Sequence, residues 1–423
     1  MVSEDKSSLL IGDTSYGHHQ IELACETCHS DPFGGPDVLQ DACMNCHREE
    51  LQAANDSHPK SKFTNPRNAD RVAILDARYC VTCHTEHQRE TTLAMGLTQP
   101  ADVCFHCHRE IAEERPSHEN LGFETCASAG CHNFHDNRAL YEDFLTEHAH
   151  EPWLVENAIV AAIKSSTANR TESLQALTIA QLDAPPQKVT DTIAQEWHGS
   201  VHSQSGVNCG DCHRDNAREW LNKPGIAQCR NCHEFQAATY VEGKHGMRLA
   251  ANLSRPLAPM QPRQSANLDF HQQAMTTEQG CNSCHDAHVF NRATAAVDAC
   301  VSCHSDQHSS AYQQSAHATL WQRELSGELP AGAGVSCATC HMPREAKIKN
   351  GENIVQVQHN QNLNLRPNEK MIRGVCLNCH GLEFTIDALA DTQLIQQNFT
   401  GRPAQHIPSI DMALERLHEH EAR

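Results

Sequence analysis

The sequence is poor in apolar and in basic residues. It contains no run of about 18 apolar residues, the length that a membrane-spanning helix needs, and aromatic residues make up only 5% of it. Hydrophobic residues amount to 39% and the mean hydropathy is −0.57, which is less apolar material than a chain of 423 residues normally buries. Lys and Arg number 33 against 53 Asp and Glu, a net charge of −20. This balance excludes nucleic acid as a partner, and residues 1–10 show no signal-peptide pattern.

No cysteine lies outside one repeated motif. The 22 cysteines fall into eleven motifs like Cys25-Glu26-Thr27-Cys28-His29, in which a histidine directly follows the second of two cysteines. Ten motifs have two residues between the cysteines, and one has four. The ten are Cys25, Cys28 and His29; Cys43, Cys46 and His47; Cys80, Cys83 and His84; Cys104, Cys107 and His108; Cys209, Cys212 and His213; Cys229, Cys232 and His233; Cys281, Cys284 and His285; Cys300, Cys303 and His304; Cys337, Cys340 and His341; and Cys376, Cys379 and His380. The motif with the longer spacing is Cys126, Cys131 and His132.

This motif has the spacing of covalent haem c attachment. Two cysteines form thioether bonds to the porphyrin, and the histidine that follows reaches the iron from the proximal face. A disulfide scaffold does not need the histidine, and a zinc ribbon does not need one after every cysteine pair. The motifs therefore predict eleven haem c groups, with all 22 cysteines as attachment sites and eleven histidines as proximal iron ligands.

On these motifs, the chain resembles the multihaem c-type cytochromes over nearly its whole length. Only about 38 residues are available for each haem, so the flat apolar porphyrins would replace an ordinary core, and the polypeptide without haem should not fold. The expected fold is mainly α-helical with much irregular loop and little β-structure, wrapped around a chain of covalent haems. The resemblance implies assembly outside the cytoplasmic membrane. We therefore expect a periplasmic or extracellular protein whose export signal has been removed or replaced in this numbering.

The motif spacing divides the chain into three regions. Residues 1–150 hold five motifs and resemble small pentahaem and decahaem electron-transfer cytochromes of the periplasm. Residues 151–195 contain neither Cys nor His, and their apolar spacing predicts two helices, the first from Trp153 and the second from Thr171. This region is either a helical, haem-free linker or a helical insert within one continuous domain. Residues 196–423 hold the other six motifs, followed by a helical tail after Gly381.

The sixth iron position decides the function, because a side chain there leaves only electron transfer, whereas an open position admits substrate. Of the 31 histidines, 20 lie outside the motif position, which is more than eleven distal ligands require. Three of the best candidates follow a proximal histidine by three residues, and two follow a serine by two. The expected distal ligands are His19 (or its neighbour His18), His58, His87, His118, His135, His202, His245, His271, His288, His317 and His359.

The first functional hypothesis is an electron conduit between a donor and an acceptor. Closely spaced motifs, abundant distal candidates and an acidic surface all favour it, and it requires no catalytic residue. The net negative charge predicts redox-protein partners with basic docking patches. An oligomer, a polymerising filament or a charge-storage role is compatible with the same pattern.

The second hypothesis is an enzyme. The stretch from Cys300 to His317, with the motif that begins at Cys337, resembles the octahaem hydroxylamine oxidoreductase and multihaem nitrite reductase superfamily across residues 196–380. The resemblance implies one open-site haem, at the motif that begins at Cys229, acting on nitrite, hydroxylamine or a sulfur oxyanion.

His308, Asp306 and Tyr312 would then be the acid/base candidates of that site. Two departures oppose this carry-over. All eleven motifs end in His where the nitrite reductases use Lys at the catalytic haem, and no tyrosine is assignable to the haem cross-link of the hydroxylamine enzymes. His308 can also be read as a distal ligand.

Overall fold

The computed structural model is mainly helical. It describes residues 7–54, 58–93, 96–115, 118, 122–126, 134–135, 140–168, 175–215, 217–265, 268–289, 291, 293–349, 352–365 and 368–422. About 52% of the structure is helical and only about 4% lies in strands, with much loop between them. This composition confirms the predicted fold class.

The N-terminal region forms short helices that are interrupted at almost every motif. They are α1 (Pro36–Ala53), α2 (Lys60–Phe63), α3 (Ala69–Ile74), α4 (Cys80–Cys83), α5 (Phe105–His108), α6 (Ile111–Glu114) and α7 (Glu142–Glu147). The longest, α1, begins with Pro36 at its first position and Asp37 in its first turn. Proline has no amide hydrogen to lose there, and the acidic side chain complements the helix dipole. The second motif, Cys43 to His47, lies inside this helix.

The rest of the chain continues this pattern and adds one hairpin. The helices are α8 (Ala158–Ala168), α9 (Asp191–His198), α10 (Val201–Gln204), α11 (Cys209–His213), α12 (Ile226–Arg230), α13 (Glu234–Glu242), α14 (Cys281–Cys284), α15 (Ala299–Val301), α16 (Gln307–Ala311), α17 (Ala316–Leu325), α18 (Cys337–His341), α19 (Asn362–Leu365), α20 (Met371–Gly374), α21 (Leu382–Ala390), α22 (Thr392–Gln396) and α23 (Ser409–Glu421). Strands β1 (Arg344–Lys349) and β2 (Glu352–Val357) pair antiparallel, with Arg344 opposite Val357.

The haem-free region packs on the C-terminal region. Its first helix, α8, begins at Ala158 rather than near Trp153, and it lies against the β1–β2 hairpin, where Asn353 donates a hydrogen bond to Ser165 (2.7 Å). Residues 169–174, where the second helix was expected to begin, lie outside the described part. Residues 175–178 are not helical, and a 3₁₀ turn follows at Ile179–Gln181.

The protein exposes far more surface than a compact chain of its size. Its accessible surface is 25363 Å², whereas a folded monomer of 46.9 kDa exposes roughly 16,000 Å². Buried apolar side chains are also scarce in the N-terminal region. Among the described residues before Leu140, Ala24 alone belongs to the buried apolar set. The polypeptide therefore lacks the apolar interior that normally stabilises such a chain, as expected if apolar porphyrins take its place.

Two small clusters of buried side chains hold the C-terminal region. The larger one includes Leu145, Ile372, Leu382, Ile386 and Ile410, so helices α7, α20, α21 and α23 meet there. The smaller one surrounds a fully buried tryptophan and comprises Ala296, Val297, Tyr312, Ala318 and Trp321. Within the described residues, no helix is both long enough and apolar enough to cross a lipid bilayer.

Candidate metal centres

Each described motif folds as one tight helical turn. The amide of the motif histidine donates to the carbonyl of the first cysteine, as from His29 to Cys25 (2.8 Å) and from His304 to Cys300 (2.9 Å). Such a bond across four residues places both cysteines and the imidazole around a single turn. The motif therefore presents two sulfur atoms and one imidazole together, as haem attachment requires.

Ten motif histidines face a second histidine from elsewhere in the chain. Within the described residues, the ring centres of these pairs lie 5.9 to 6.3 Å apart. The pairs are His18–His47 (5.9 Å), His29–His87 (6.3 Å), His58–His108 (6.0 Å), His84–His135 (6.2 Å), His202–His233 (6.2 Å), His213–His288 (6.0 Å), His245–His304 (6.2 Å), His285–His359 (6.3 Å), His308–His341 (6.1 Å) and His317–His380 (6.2 Å).

This separation fits a metal ion between the two rings. A metal bound by imidazole lies about 2 Å from the nitrogen, and about 1 Å more separates that nitrogen from its ring centre, so two ligating rings have centres about 6 Å apart. Aromatic rings in direct contact have centres anywhere from about 4.5 to 7 Å apart, whereas these ten separations all fall between 5.9 and 6.3 Å. The residues therefore fit a haem iron held between two imidazoles.

Three distal candidates each follow the histidine of a motif by three residues in the sequence. His87 faces His29, His135 faces His84, and His288 faces His213. In each case the partner is the proximal histidine of a different motif. Such a segment would hold two haems in one rigid frame.

Two other distal candidates each follow a serine that caps a helix. Ser200 and Ser315 accept hydrogen bonds from the amides of Ser203 (3.3 Å) and Ala318 (3.1 Å), which begin helices α10 and α17. The second helical residue after each cap is a histidine, and these two histidines, His202 and His317, face His233 and His380. The cap fixes the first turn, and with it the direction of the imidazole.

His308, which the sequence offered as an acid/base candidate or alternatively as a distal ligand, follows the same capping pattern. Asp306 caps α16 by accepting from the amide of Ser309 (3.1 Å), and His308 is the second helical residue. An acidic cap satisfies the helix end as a serine does. A search for any capping residue two positions before a histidine would therefore have found His308.

Two of the expected ligands face no motif histidine in the described structure. His18, not His19, faces His47, while the Nδ1 of His19 lies 3.1 Å from Glu22. His271 makes no ring contact with a motif histidine there, and His245 faces His304. His118 stays a prediction, because Cys131 and His132 of the fifth motif lie outside the described residues.

In eight of the ten pairs, Nδ1 of one histidine donates a hydrogen bond to a neutral backbone carbonyl. Nδ1 of His213, for example, donates to the carbonyl of Leu221 (2.6 Å), and that of His87 to the carbonyl of Gly12 (2.9 Å). The others of this kind are His58, His84, His202, His308, His359 and His380. Such a bond fixes the tautomer and leaves Nε2 as the nitrogen that can bind a metal. At His308, the side-chain nitrogen of Asn398 also lies 3.2 Å from Nε2.

One pair differs, because both of its rings contact carboxylates. Nδ1 of His18 lies 2.7 Å from Glu86, and Nδ1 of His47 lies 3.5 Å from Glu50. Burial raises the pKa of Glu86, but hydrogen bonds from His18 and Ser15 outweigh it and lower that pKa to about 2. The bond from His47, with Lys370, likewise lowers the pKa of Glu50 to about 2. Both carboxylates are therefore anionic at neutral pH.

Several paired rings are buried enough to remain neutral. Burial lowers the pKa of His245, His285, His317 and His341 to about 4. Since neutral imidazole is the form that binds a metal, these rings are in the ligating state at neutral pH.

Consecutive motifs touch through their cysteines. The thiols of Cys43 and Cys80 lie close enough to shift each other's pKa, as do those of Cys229 and Cys281. Two further contacts of this kind join motifs that follow each other in sequence, Cys104 with Cys126 and Cys300 with Cys337. Haems attached at these cysteines would therefore be immediate neighbours.

The residues that the enzyme hypothesis assigns to acid/base catalysis have structural partners in the fold. His308 faces His341, and Asp306 is the cap of α16. Tyr312 is buried, its hydroxyl donates to the carbonyl of Val335 (2.8 Å), and burial raises the pKa of the phenol well above its usual range. At the motif expected to be open, His202 faces His233.

Comparison with known proteins gives one informative match. Residues 17–109, which contain four complete motifs, match the family model of cytochrome c3. No curated protein and no solved structure gives a significant match. The match supports multihaem electron transfer as the general function and c-type haem as the cofactor. The resemblance of residues 196–380 to the hydroxylamine oxidoreductase superfamily finds no support among these matches.

Proposed function

We propose that this protein is an electron conduit in which eleven covalent c-type haems, mostly held by two histidines, relay electrons between redox partners. The observation that carries the proposal is the set of ten facing histidine pairs at about 6 Å. When bound, haem supplies one-electron redox chemistry. The paired imidazoles would occupy both axial positions, and a filled sixth position leaves no place for a substrate.

A route through the C-terminal region follows from the cysteine contacts. Cys212 lies within electrostatic range of Cys229, Cys284 of Cys300, and Cys340 of Cys376. Together with the proximity of Cys229 to Cys281 and of Cys300 to Cys337, these neighbours support a route in which the six motifs follow one another in space as they do in sequence.

The two motif-bearing regions are in contact near the first two motifs. The amide of Asn252 lies 3.3 Å from Cys46, and Ser254 donates its backbone amide to Thr27 (2.9 Å). Arg255 donates to the carbonyl of Leu23 (2.8 Å). This contact supports an electron crossing at the haems of Cys25 and Cys43.

The partners we propose are redox proteins with basic docking patches, in the periplasm or outside the cell. The net charge of −20 would steer such partners toward the surface and raise the association rate more than the affinity. Cytochrome c3 family proteins are typically periplasmic or extracellular, which supports this location.

Spectroscopy of the reduced and oxidised holoprotein tests the conduit against an enzyme with an open haem. The conduit predicts low-spin haem throughout the oxidised protein and no carbon monoxide binding after reduction. A high-spin signal of about one-eleventh of the total haem, together with carbon monoxide or hydroxylamine binding at that site, would contradict the proposal.

A further inference from the structure

The pair His18–His47 is the one pair in which both rings contact a carboxylate. Each of the other nine described pairs contains at least one ring held by a neutral group. Eight have a backbone carbonyl at Nδ1, and in the ninth His245 lies beside the Gln361 amide. Asp306 approaches His304 of that ninth pair, but at 4.0 Å it is beyond hydrogen-bonding distance.

The carboxylate at His18 is held rigidly. Ser15 donates its backbone amide to one oxygen of Glu86 (2.7 Å) and its hydroxyl to the other (2.8 Å). The second oxygen also contacts Nδ1 of His18 at 2.7 Å. Ser15 is itself buried. The negative charge of Glu86 is therefore held in place beside the imidazole of His18.

The second carboxylate is placed more loosely and is shared with the C-terminal region. Glu50 lies one helical turn after His47 on α1, and its side chain is about half exposed (48%). Lys370 forms an ion pair with it at 2.8 Å. A longer contact and greater exposure weaken its field at the ring.

A carboxylate that accepts a hydrogen bond from Nδ1 makes the imidazole a stronger electron donor to a metal. A stronger donor and a nearby negative charge both favour the oxidised, more positive state of the metal. The two effects therefore act in the same direction.

We infer that Glu86 and Glu50 are positioning residues that give the haem site of His18 and His47 the lowest reduction potential among the described pairs. The inference rests on the proposed bis-histidine conduit. It adds a function for this motif: the site that contacts the C-terminal region is also the hardest to reduce. An electron that crosses between the regions at this site must be accepted at the lowest reduction potential, and the Glu50–Lys370 ion pair adjusts that potential.

Redox titration of the full holoprotein, followed in the visible spectrum, tests this inference. In Glu86→Gln the lowest-potential step, about one-eleventh of the absorbance change, should move upward. We expect the reduced-to-oxidised ratio at a fixed potential to rise at least tenfold, which is about 59 mV for a one-electron couple. Glu50→Gln should shift the same step upward by less. Lys370→Gln should shift it downward, because a positive charge is removed.

Glu49→Gln is the matched control, since Glu49 precedes Glu50 on α1 and has no hydrogen bond to either ring in the described structure. It should leave the step in place. The electron paramagnetic resonance signal of one low-spin haem should change in Glu86→Gln and persist in the control. An unmoved lowest step in Glu86→Gln, or a Lys370→Gln shift of the same sign, would overturn the inference.

Haem content and spin state are measured first in each variant. If His18→Ala leaves every haem low-spin, the proposed ligation fails, rather than the tuning. If Glu86→Gln loses the haem, Glu50→Gln and Lys370→Gln carry the test, because both leave the contacts of His18 intact.

Discussion

His308 and His341 face each other with their ring centres 6.1 Å apart, and Nδ1 of His308 donates to the carbonyl of Ile395 at 2.5 Å. The bond to the carbonyl leaves Nε2 of His308 as the nitrogen that can bind a metal, and the side-chain nitrogen of Asn398 lies 3.2 Å from it. This relationship supports His308 as one of two facing iron ligands rather than as an acid/base residue.

Replacing His308 with alanine should therefore open one iron site. We expect about one-eleventh of the haem to become high-spin and to bind carbon monoxide after reduction, because water or an exogenous ligand takes the free position. His271→Ala is the matched control and should leave all haem low-spin. A His308→Ala protein that stays entirely low-spin would place His308 outside the coordination sphere.

The neighbours His18 and His19 make a second matched pair. His18→Ala should produce one high-spin haem, since His18 faces His47. His19→Ala should produce none, because its ring contacts Glu22 and Arg89 instead. Electron paramagnetic resonance of both oxidised variants distinguishes them, and the reverse result would exchange the two assignments.

The sequence alone predicts those ligands whose position is set by local structure. A histidine three residues after a motif, such as His87, is recognisable from its spacing alone, although the carbonyl of Gly12, 75 residues away, holds its ring. His202 and His317 are held by a serine cap. His308 follows the same rule with an aspartate cap, which a search for serine alone does not detect.

The remaining ligands depend on contacts between distant segments. Nothing local distinguishes His18 from His19, because Glu86, 68 residues away, holds His18 in place. His271 follows no cap or motif, and no local signal separates it from His245, which faces His304. The mainly helical class was predictable from the frequent motifs, whereas the hairpin that packs on α8 depends on tertiary contacts.

The apolar cluster around α21 should respond to truncation as an ordinary core does. Leu382 is fully buried against α7, α20 and α23. Leu382→Ala should lower the free energy of unfolding by about 2 to 5 kcal/mol, through lost burial and the cavity that remains. Leu417→Ala, at an exposed position of α23, should change it by less than about 0.5 kcal/mol. Urea titrations of the holoprotein followed by circular dichroism compare the two, and equal losses would contradict this packing.

The segment before α23 should stabilise the fold in a pH-dependent way. Hydrogen bonds to Asp411 and Asp387 raise the pKa of His406 above its usual range. The folded state therefore holds this proton more tightly than the unfolded state. Its contribution is complete below the ordinary histidine pKa of about 6.5 and is lost as pH rises through the higher folded value.

Stability should accordingly decrease above about pH 6.5, by less than about 1 kcal/mol because the ion pairs are exposed. His406→Gln should remove this part of the pH dependence, and His418→Gln on α23 is the control. Urea midpoints measured across this pH range provide the readout. A His406→Gln protein with the wild-type pH profile would exclude His406 as the titrating group.

The central claim is that covalent haem takes the place of the missing apolar interior. The most direct test combines the intact mass of the denatured protein with a thiol titration. The account predicts eleven haem groups and no reactive thiol among the 22 cysteines. Fewer haems with free thiols, or a colourless protein that still unfolds cooperatively, would contradict it.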